Sequence, residues 1–264
     1  MDSASGPWPR RRPSARGLLW AGDMSPLFRH VLHVLLALVL WGASPRIELQ
    51  ATASVLLFFM LFFLFHDALH GALGLSRRAN ELLMSGSGVV LGVSGHAARR
   101  AHLRHHARPF ADDDPEGHAA KKGLWAALRA GPSVYLGLRA WGLLHAPAER
   151  ALQRREWRAV VIFFGALALF PAGRLYVFTA LVLHVTMPAW AALLPHQPPR
   201  PLLAVATALA RRGFLFPALF VTHPLHHQHP KLDTFTLVRR WRTATREPNR
   251  YGVSERARQE LGPG

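Results

Sequence analysis

The sequence predicts an all-α integral membrane protein. The expected architecture is four transmembrane helices in two hairpins, interfacial helices, and a cytosolic cap that carries histidine clusters. Three observations predict it. Half of the 264 residues are hydrophobic, yet the formal net charge is +17. Soluble domains seldom combine the two, whereas a membrane protein keeps its charge in the loops outside the bilayer. Four apolar segments approach the roughly 20 residues that a bilayer-crossing helix needs. Eight of the 16 histidines fall in three dense clusters at or beyond the ends of those segments.

The length suits one domain or two. Residues 1–26, opening "MDSASGPWPRRRPSAR", are Pro- and Arg-rich and are expected to be a disordered cytosolic flank. Their arginines faintly resemble a twin-arginine signal, but no small-residue cleavage site follows the next apolar run. The core domain is expected over 27–241, with spans at about 27–43, 50–66, 157–172 and 174–195. The first three are short, so polar flanks must extend them or the bilayer must thin. The link 44–49 ("SPRIEL") holds one Arg and one Glu, and the link between the last two spans is tiny. Nearly all Arg lies in 1–26, 73–157 and 197–264, which places those regions and both termini in the cytosol. Between the hairpins, 121–157 mixes Arg129, Arg139 and Arg150 with Leu and Trp at helical spacing, the pattern of interfacial helices. Residues 200–222 have a similar character. The basic tail 242–264 is expected to be loose.

The chain has no cysteine, which excludes disulfides, cysteine-ligated zinc and iron–sulfur clusters held by it. The basic excess is nearly all Arg, with Lys only at 121, 122 and 231. Topology explains that charge better than nucleic-acid binding does, so no nucleic-acid partner is expected. The Arg bias also suggests a GC-rich bacterial genome, and hence a cytoplasmic membrane.

The chemistry is carried by histidine. "HDALH" places His66 and His70 one turn apart on one helix face. A zinc protease would need Glu after the first His, and Asp67 stands there instead. "HLRHH" gives His102, His105 and His106, and "HPLHH" gives His223, His226 and His227. Pro224 suits a first helical turn, so His223 is expected to be the N-cap of a helix that the cluster opens. One such cluster means little. Three on one predicted membrane face point to metal, and eight imidazoles exceed one tetrahedral zinc. Two metal ions fit, iron that binds O2 best, and the apolar setting points to a lipid substrate.

From about residue 50 to 235, "HDALHG", "RRAHLRHHARPFADDDPEG", "LLPHQP" and "HPLHHQHP" resemble the successive signatures of the membrane fatty acid desaturase superfamily. "LLPH" and "HHQHP" resemble its β-carotene ketolase branch. "KLDTF" stands where that branch has an aromatic pair. The resemblance implies a non-haem di-iron oxidoreductase using O2 and external electrons from a ferredoxin or cytochrome b5-like donor. A basic cytosolic face suits an acidic donor. The activity it implies is fatty acyl desaturation or hydroxylation, with carotenoid ketolation or hydroxylation as the alternative. It implies a tunnel for the alkyl chain and ligands at His66, His70, His102, His105, His106, His223, His226 and His227. A ninth ligand is implied at the end of the fourth span, where His196 stands and His184 is the rival. Asp67, Asp114 and His229 are candidates for orienting ligands; Asp112, Asp113 and Glu116 share the acidic run with Asp114. A more distant alternative is a non-enzymatic haem or metal-binding membrane protein, which would use mid-span histidines such as His33 and His184.

The remaining motifs have plainer readings. His30 and His33 are expected to pack or hydrogen-bond between helices, and His96, His118 and His145 to be interfacial or exposed. "SGSGVVLG" at 85–92 lacks a preceding strand, so its small residues are expected to let helices approach rather than to bind a dinucleotide.

Overall fold

The computed structural model describes residues 24–246, and no strand occurs among them. The predicted N-terminal flank and the tail beyond Arg246 therefore lie almost wholly outside the described residues. The chain opens on a hairpin of α1 (Pro26–Ala43) and α2 (Ile47–His70). Ser25 caps α1 by accepting from the Phe28 N–H at 3.2 Å, and Pro26 follows it at the first helical position. The 24 residues of α2 span about 36 Å at 1.5 Å each, longer than a hydrocarbon core of about 30 Å. Gly71 ends α2 in the left-handed conformation, φ 62°, where a side chain would be strained.

α2 is the axis of the molecule. Phe58, Phe63, Leu64 and Phe65 are buried against Met84, Tyr176 and Trp190 from later helices. α1 lies outside, and Leu35, Leu36 and Val39 on it are more than half exposed. Water penalises such a face and a bilayer does not.

α3 (Arg77–Leu91) and α4 (Gly95–Ala107) form the next hairpin. A Cβ on Gly88 would lie 3.1 Å from the Gly95 nitrogen, and one on Gly95 would lie 2.9 Å from the Met84 carbonyl oxygen. Within the 85–92 cluster, Gly88 thus serves close helix approach as expected, whereas Gly86 has open space around it. α5 (Leu124–His145) follows, with Gly131 so close to the Val185 carbonyl that no side chain fits. α6 (Arg150–Leu167) and α7 (Pro171–Val185) then pack on α3 and α2.

Here the predicted spans need correction. The segment expected at 157–172 is interrupted, because α6 stops at Leu167 and Phe170 is extended (φ −107°, ψ 142°). Pro171 disfavours helical geometry in the residue before it and opens α7 instead. The segment expected at 174–195 is bent by 52° between α7 and the π-helical turn Pro188–Leu193 with its continuation α8 (Leu194–His196). Pro188 offers no N–H to the helix it follows, which accounts for the break. α9 (Arg200–Arg212) and α10 (Leu215–Gln228) form a second bent pair, at 107°. Among the described residues, α1 and α2 are long and apolar enough to cross a membrane, and up to four spans result if each bent pair counts as one.

α11 (Thr234–Arg246) closes the described chain. Asp233 starts it by accepting from the Phe235 and Thr236 N–H groups, each at 3.1 Å. Trp241 is buried in a second apolar cluster with Ala206, Ala210, Phe220 and Val221. The helix runs to Arg246, so order extends past Trp241.

Candidate metal centre

Three helix ends and one bend bring nine histidines together in two sets. His66, His70, His102, His106 and His226 form one; His105, His196, His223 and His227 form the other. Within each set the candidate ligand atoms all lie within 4.8 Å of one another. Helical periodicity explains the division. On α4, His102 and His106 are i, i+4 and share a face, while His105 points to the next face. On α10 the i, i+4 pair is His223 and His227, and His226 is the odd one. Each H-x-x-H-H thus gives two rings to one set and one to the other, in opposite senses. The final turns of α2 add two rings to the first set. The bend at Pro188 and the short α8 deliver His196 to the second.

In the first set the Nε2 atoms of His70 and His102 are 3.0 Å apart, those of His102 and His106 3.1 Å, and those of His106 and His226 3.0 Å. In the second, His105 and His196 are separated by 3.0 Å, His196 and His223 by 3.0 Å, and His223 and His227 by 3.1 Å. Four rings thus meet through three links in each set. Neutral imidazoles alternating as donor and acceptor supply only two protons for three links. A cation among the lone pairs removes that deficit. Ligand nitrogens about 2.1 Å from one ion lie about 3.0 Å apart at right angles and about 3.4 Å apart at tetrahedral angles. The observed spacing is that of nitrogens able to share one ion in each set.

Burial, reinforced by His70 and the other neighbouring imidazoles, pushes His102 well below its ordinary value. Burial likewise lowers His106 to about 3, with the charges of His66, His105 and His196 adding to it. Both are thereby held in the neutral form that binds metal. His105 differs. Burial lowers it, but its bond to Asp114 and the charges of Glu116 and Asp114 outweigh that and raise it.

Two carboxylates orient one ring in each set. Asp114 accepts from His105 Nδ1 at 2.8 Å, and Glu116 lies 3.0 Å from His102 Nδ1. Asp114 also accepts from the Phe110 N–H at 2.8 Å and the Glu116 N–H at 3.0 Å. Burial opposes its charge, but His105 and the backbone N–H groups outweigh this and keep its carboxyl below the usual range. Phe110 has φ 60°, a costly conformation for an aromatic residue, and its ring lies edge-on to His196 at 4.9 Å. Burial pushes the Glu116 carboxyl up to about 7, with the His105 charge opposing and Asp114 adding. Asp112 and Asp113 are exposed and pair with Lys121 and Arg104.

Gly117 completes this cradle. A Cβ there would fall on Asp114 Oδ2 and lie 3.2 Å from His105 Nδ1. Gly117→Ala is expected to displace Asp114 and to weaken metal binding by roughly ten- to a hundredfold, the usual cost of losing such a partner. Metal retention during dialysis against a chelator measures it.

The other expected residues divide. Asp67 lies 3.5 Å from His66 Nδ1, but its short bonds are to His30 Nε2 at 2.8 Å and to Thr234 N and Oγ1 at 2.8 and 2.9 Å. His229 caps the end of α10 with its backbone and belongs to neither set. His223 is not an N-cap. α10 begins at Leu215 and runs through Pro224, because the apolar stretch from Phe216 to Leu225 is buried against α9 and α11. His184 belongs to neither set and hydrogen-bonds the Leu91 carbonyl at 2.6 Å. His30 joins two helices as expected, and His33, though bonded to the Arg29 carbonyl of its own helix, also packs against Phe235 of α11. His118 and His145 are exposed.

His96 is a correction. It is buried between Glu156, at 2.7 Å from Nδ1, and Glu81, at 3.1 Å from Nε2. Glu156 also accepts from the Ser94 hydroxyl at 2.5 Å, which ties the start of α4 to α6. The bond to Glu156 raises the His96 pKa against burial, with the Glu156 charge helping, Arg99 opposing and Glu81 helping. A raised histidine stabilises fully below its unfolded pKa, about 6.5, and loses that contribution as pH rises through the folded value. His96→Gln is therefore expected to lower the melting temperature by roughly 5 °C at pH 6. Thermal unfolding at intervals to pH 9 should show the gap closing.

An apolar cavity of about 840 Å3, its mouth included, runs beside α2 past Phe58, Phe62 and His66. It touches rings of both sets, His66 and His102 from one and His105 and His223 from the other.

The family model described as fatty acid desaturase matches residues 47–259 of the chain. Comparison with curated proteins and with solved structures found no match.

Proposed function

Because the chain belongs to the fatty acid desaturase family, we propose that it is an O2-dependent, non-haem di-iron oxidoreductase that attacks C–H bonds of a lipid alkyl chain, as a desaturase or hydroxylase. The observation that carries this reading is the apolar cavity whose wall includes imidazoles of both histidine sets. Iron held by the two sets supplies, with O2 and two external electrons, the oxidising power that an unactivated C–H bond requires.

The protein's own part is positioning. Phe58, Phe62, Leu69 and Trp190 line the cavity and exclude water from an alkyl chain threaded past the imidazoles. Desaturation and hydroxylation differ in how the C–H bonds are placed, and placement to a fraction of an ångström is what such walls provide. Asp114 and Glu116 hold His105 and His102 in fixed orientations. Glu116, pushed up to about 7, can hold a proton beside His102 Nδ1 at neutral pH.

The charge pattern supports a cytosolic position for the histidine clusters. Exposed Arg77, Arg78, Arg108 and Lys122 suit an acidic electron donor, a ferredoxin or a cytochrome b5-like protein.

Metal analysis of detergent-purified protein enriched in iron-57 tests the reading. About two irons per chain with Mössbauer spectra of a coupled pair, together with new unsaturated or hydroxylated lipids in expressing cells, are expected. Haem absorbance or a single zinc would overturn it.

A further inference from the structure

His184 has no part in the metal sets, yet it lines the same cavity. It stands at the end remote from them. Phe58 and His66 lie eight residues apart on α2, about 12 Å along the axis, and the His184 ring meets Phe58 edge-on at 5.5 Å. An extended chain advances about 1.2 Å per bond. An alkyl chain reacting beside His66 would therefore bring a carbon about ten bonds away to His184.

The floor there is held firmly. Three consecutive carbonyls at the end of α3 receive side-chain donors: Tyr176 Oη to Val90 at 3.0 Å, His184 Nε2 to Leu91 at 2.6 Å, and Tyr135 Oη to Gly92 at 2.9 Å. Tyr135 stacks on the His184 ring, with centroids 4.8 Å apart and planes 19° apart. These contacts fix both the position and the tautomer of His184. Nε2 carries the proton, so Nδ1 carries a lone pair. That Nδ1 has no hydrogen-bond partner among the described residues and is not sealed off by protein atoms, although the residue as a whole is only 7 % exposed. A lone hydrogen-bond acceptor at the end of an apolar cavity disfavours a methyl terminus and matches a donor.

We propose that His184 is a specificity-determining residue whose Nδ1 accepts a hydrogen bond from a hydroxyl at the far end of the substrate chain, so that the preferred substrate is a long-chain lipid hydroxylated at the end remote from its head group. The proposal rests on the alkyl-chain reading of the cavity. A site built to bind a hydroxyl rejects analogues lacking it more strongly than an apolar site selects by size.

Binding tests it without turnover. A doxyl-labelled fatty acid quenches tryptophan fluorescence when it lies beside Trp190, and unlabelled chains displace it. Fatty acids of 12 to 18 carbons ending in hydroxyl, methoxy or methyl are compared on the purified, metal-loaded protein. The hydroxyl series is expected to displace the probe at least tenfold more tightly than the other two. His184→Gln, which keeps a donor and an acceptor, should retain the preference, and His184→Leu should reduce it to less than twofold. Should His184→Leu not fold, the wild-type series decides alone, because the methoxy group has the bulk but no proton. Equal displacement by all three series overturns the proposal and leaves the alkyl-chain reading standing. Displacement by none of them overturns both.

Discussion

Replacing His102 with alanine is expected to remove one of two bound irons, replacing His105 to remove the other, and either change to cut turnover by more than about a hundredfold. The two residues are three apart on one helix, so distance from the site does not separate them. Direction does. His102 Nε2 faces His70 and His106, whereas His105 Nε2 faces His196. Five rings surround the first position and four the second. Loss of one ring therefore leaves the opposite set intact, and iron content should fall by about half rather than to zero. Turnover should fall in both variants if, as proposed, reaction with O2 uses both metals. Even outer partners of metal ligands cost ten- to a hundredfold when removed, and a ligand should cost more. Plasma mass spectrometry gives the stoichiometry, and Mössbauer spectra show whether the remaining iron is uncoupled. Loss of both irons from either variant would mean that the two sets load as one cooperative unit. Full iron in either would remove that residue from the ligand set.

The histidine clusters were legible because so many imidazoles at i, i+3 and i, i+4 spacing seldom gather by chance and because helical periodicity is strict. What the spacing left unassigned was the division between sets. It depends on how α4 and α10 are each rotated against α2, a matter of tertiary packing such as that of Phe59 on Phe216 between α2 and α10. The bends escaped for a different reason. A proline such as Pro171, Pro188 or Pro224 begins a helix, kinks one, or is carried through, according to what packs around it. Local preference placed His223 at a helix start, and burial of the flanking apolar residues overrode it. The buried Glu156–His96 pair was hidden because its members lie 60 residues apart, and an arginine-rich flank makes that histidine look like surface. Glu116 stood among four acidic residues of similar appearance. Only the fold separates it and Asp114, which reach His102 and His105, from the exposed Asp112 and Asp113.

Asp67 separates stability from metal binding, and its replacement should have the largest effect on stability of any single change outside the histidine sets. The first cluster's sequence makes it look like a partner of His66, yet the separation from His66 Nδ1 is 3.5 Å, beyond a good hydrogen bond. Its carboxylate instead joins three helices. From α2 it accepts from Thr234 N and Oγ1 at the start of α11, and it meets His30 Nε2 of α1 at 2.8 Å. Asp67 and His30 are each 2 % exposed, and Thr234 is partly buried. Asp67→Ala strands the Thr234 N–H and the His30 ring together, and leaving such groups without a partner costs about 1–3 kcal/mol each, about 3–5 kcal/mol together. For a chain of this length that lowers the melting temperature by roughly 6–20 °C. Asp67→Asn keeps an acceptor for Thr234 and should lose less. Iron content should stay near the wild-type value in Asp67→Asn, because its side chain still holds α11 while the imidazoles are held by their own helices, by Asp114 and by Glu116. Thermal unfolding in detergent, measured beside iron stoichiometry, separates the two roles. Iron loss without a change in melting temperature would return Asp67 to the orientation of His66 and remove the three-helix joint from the account of stability.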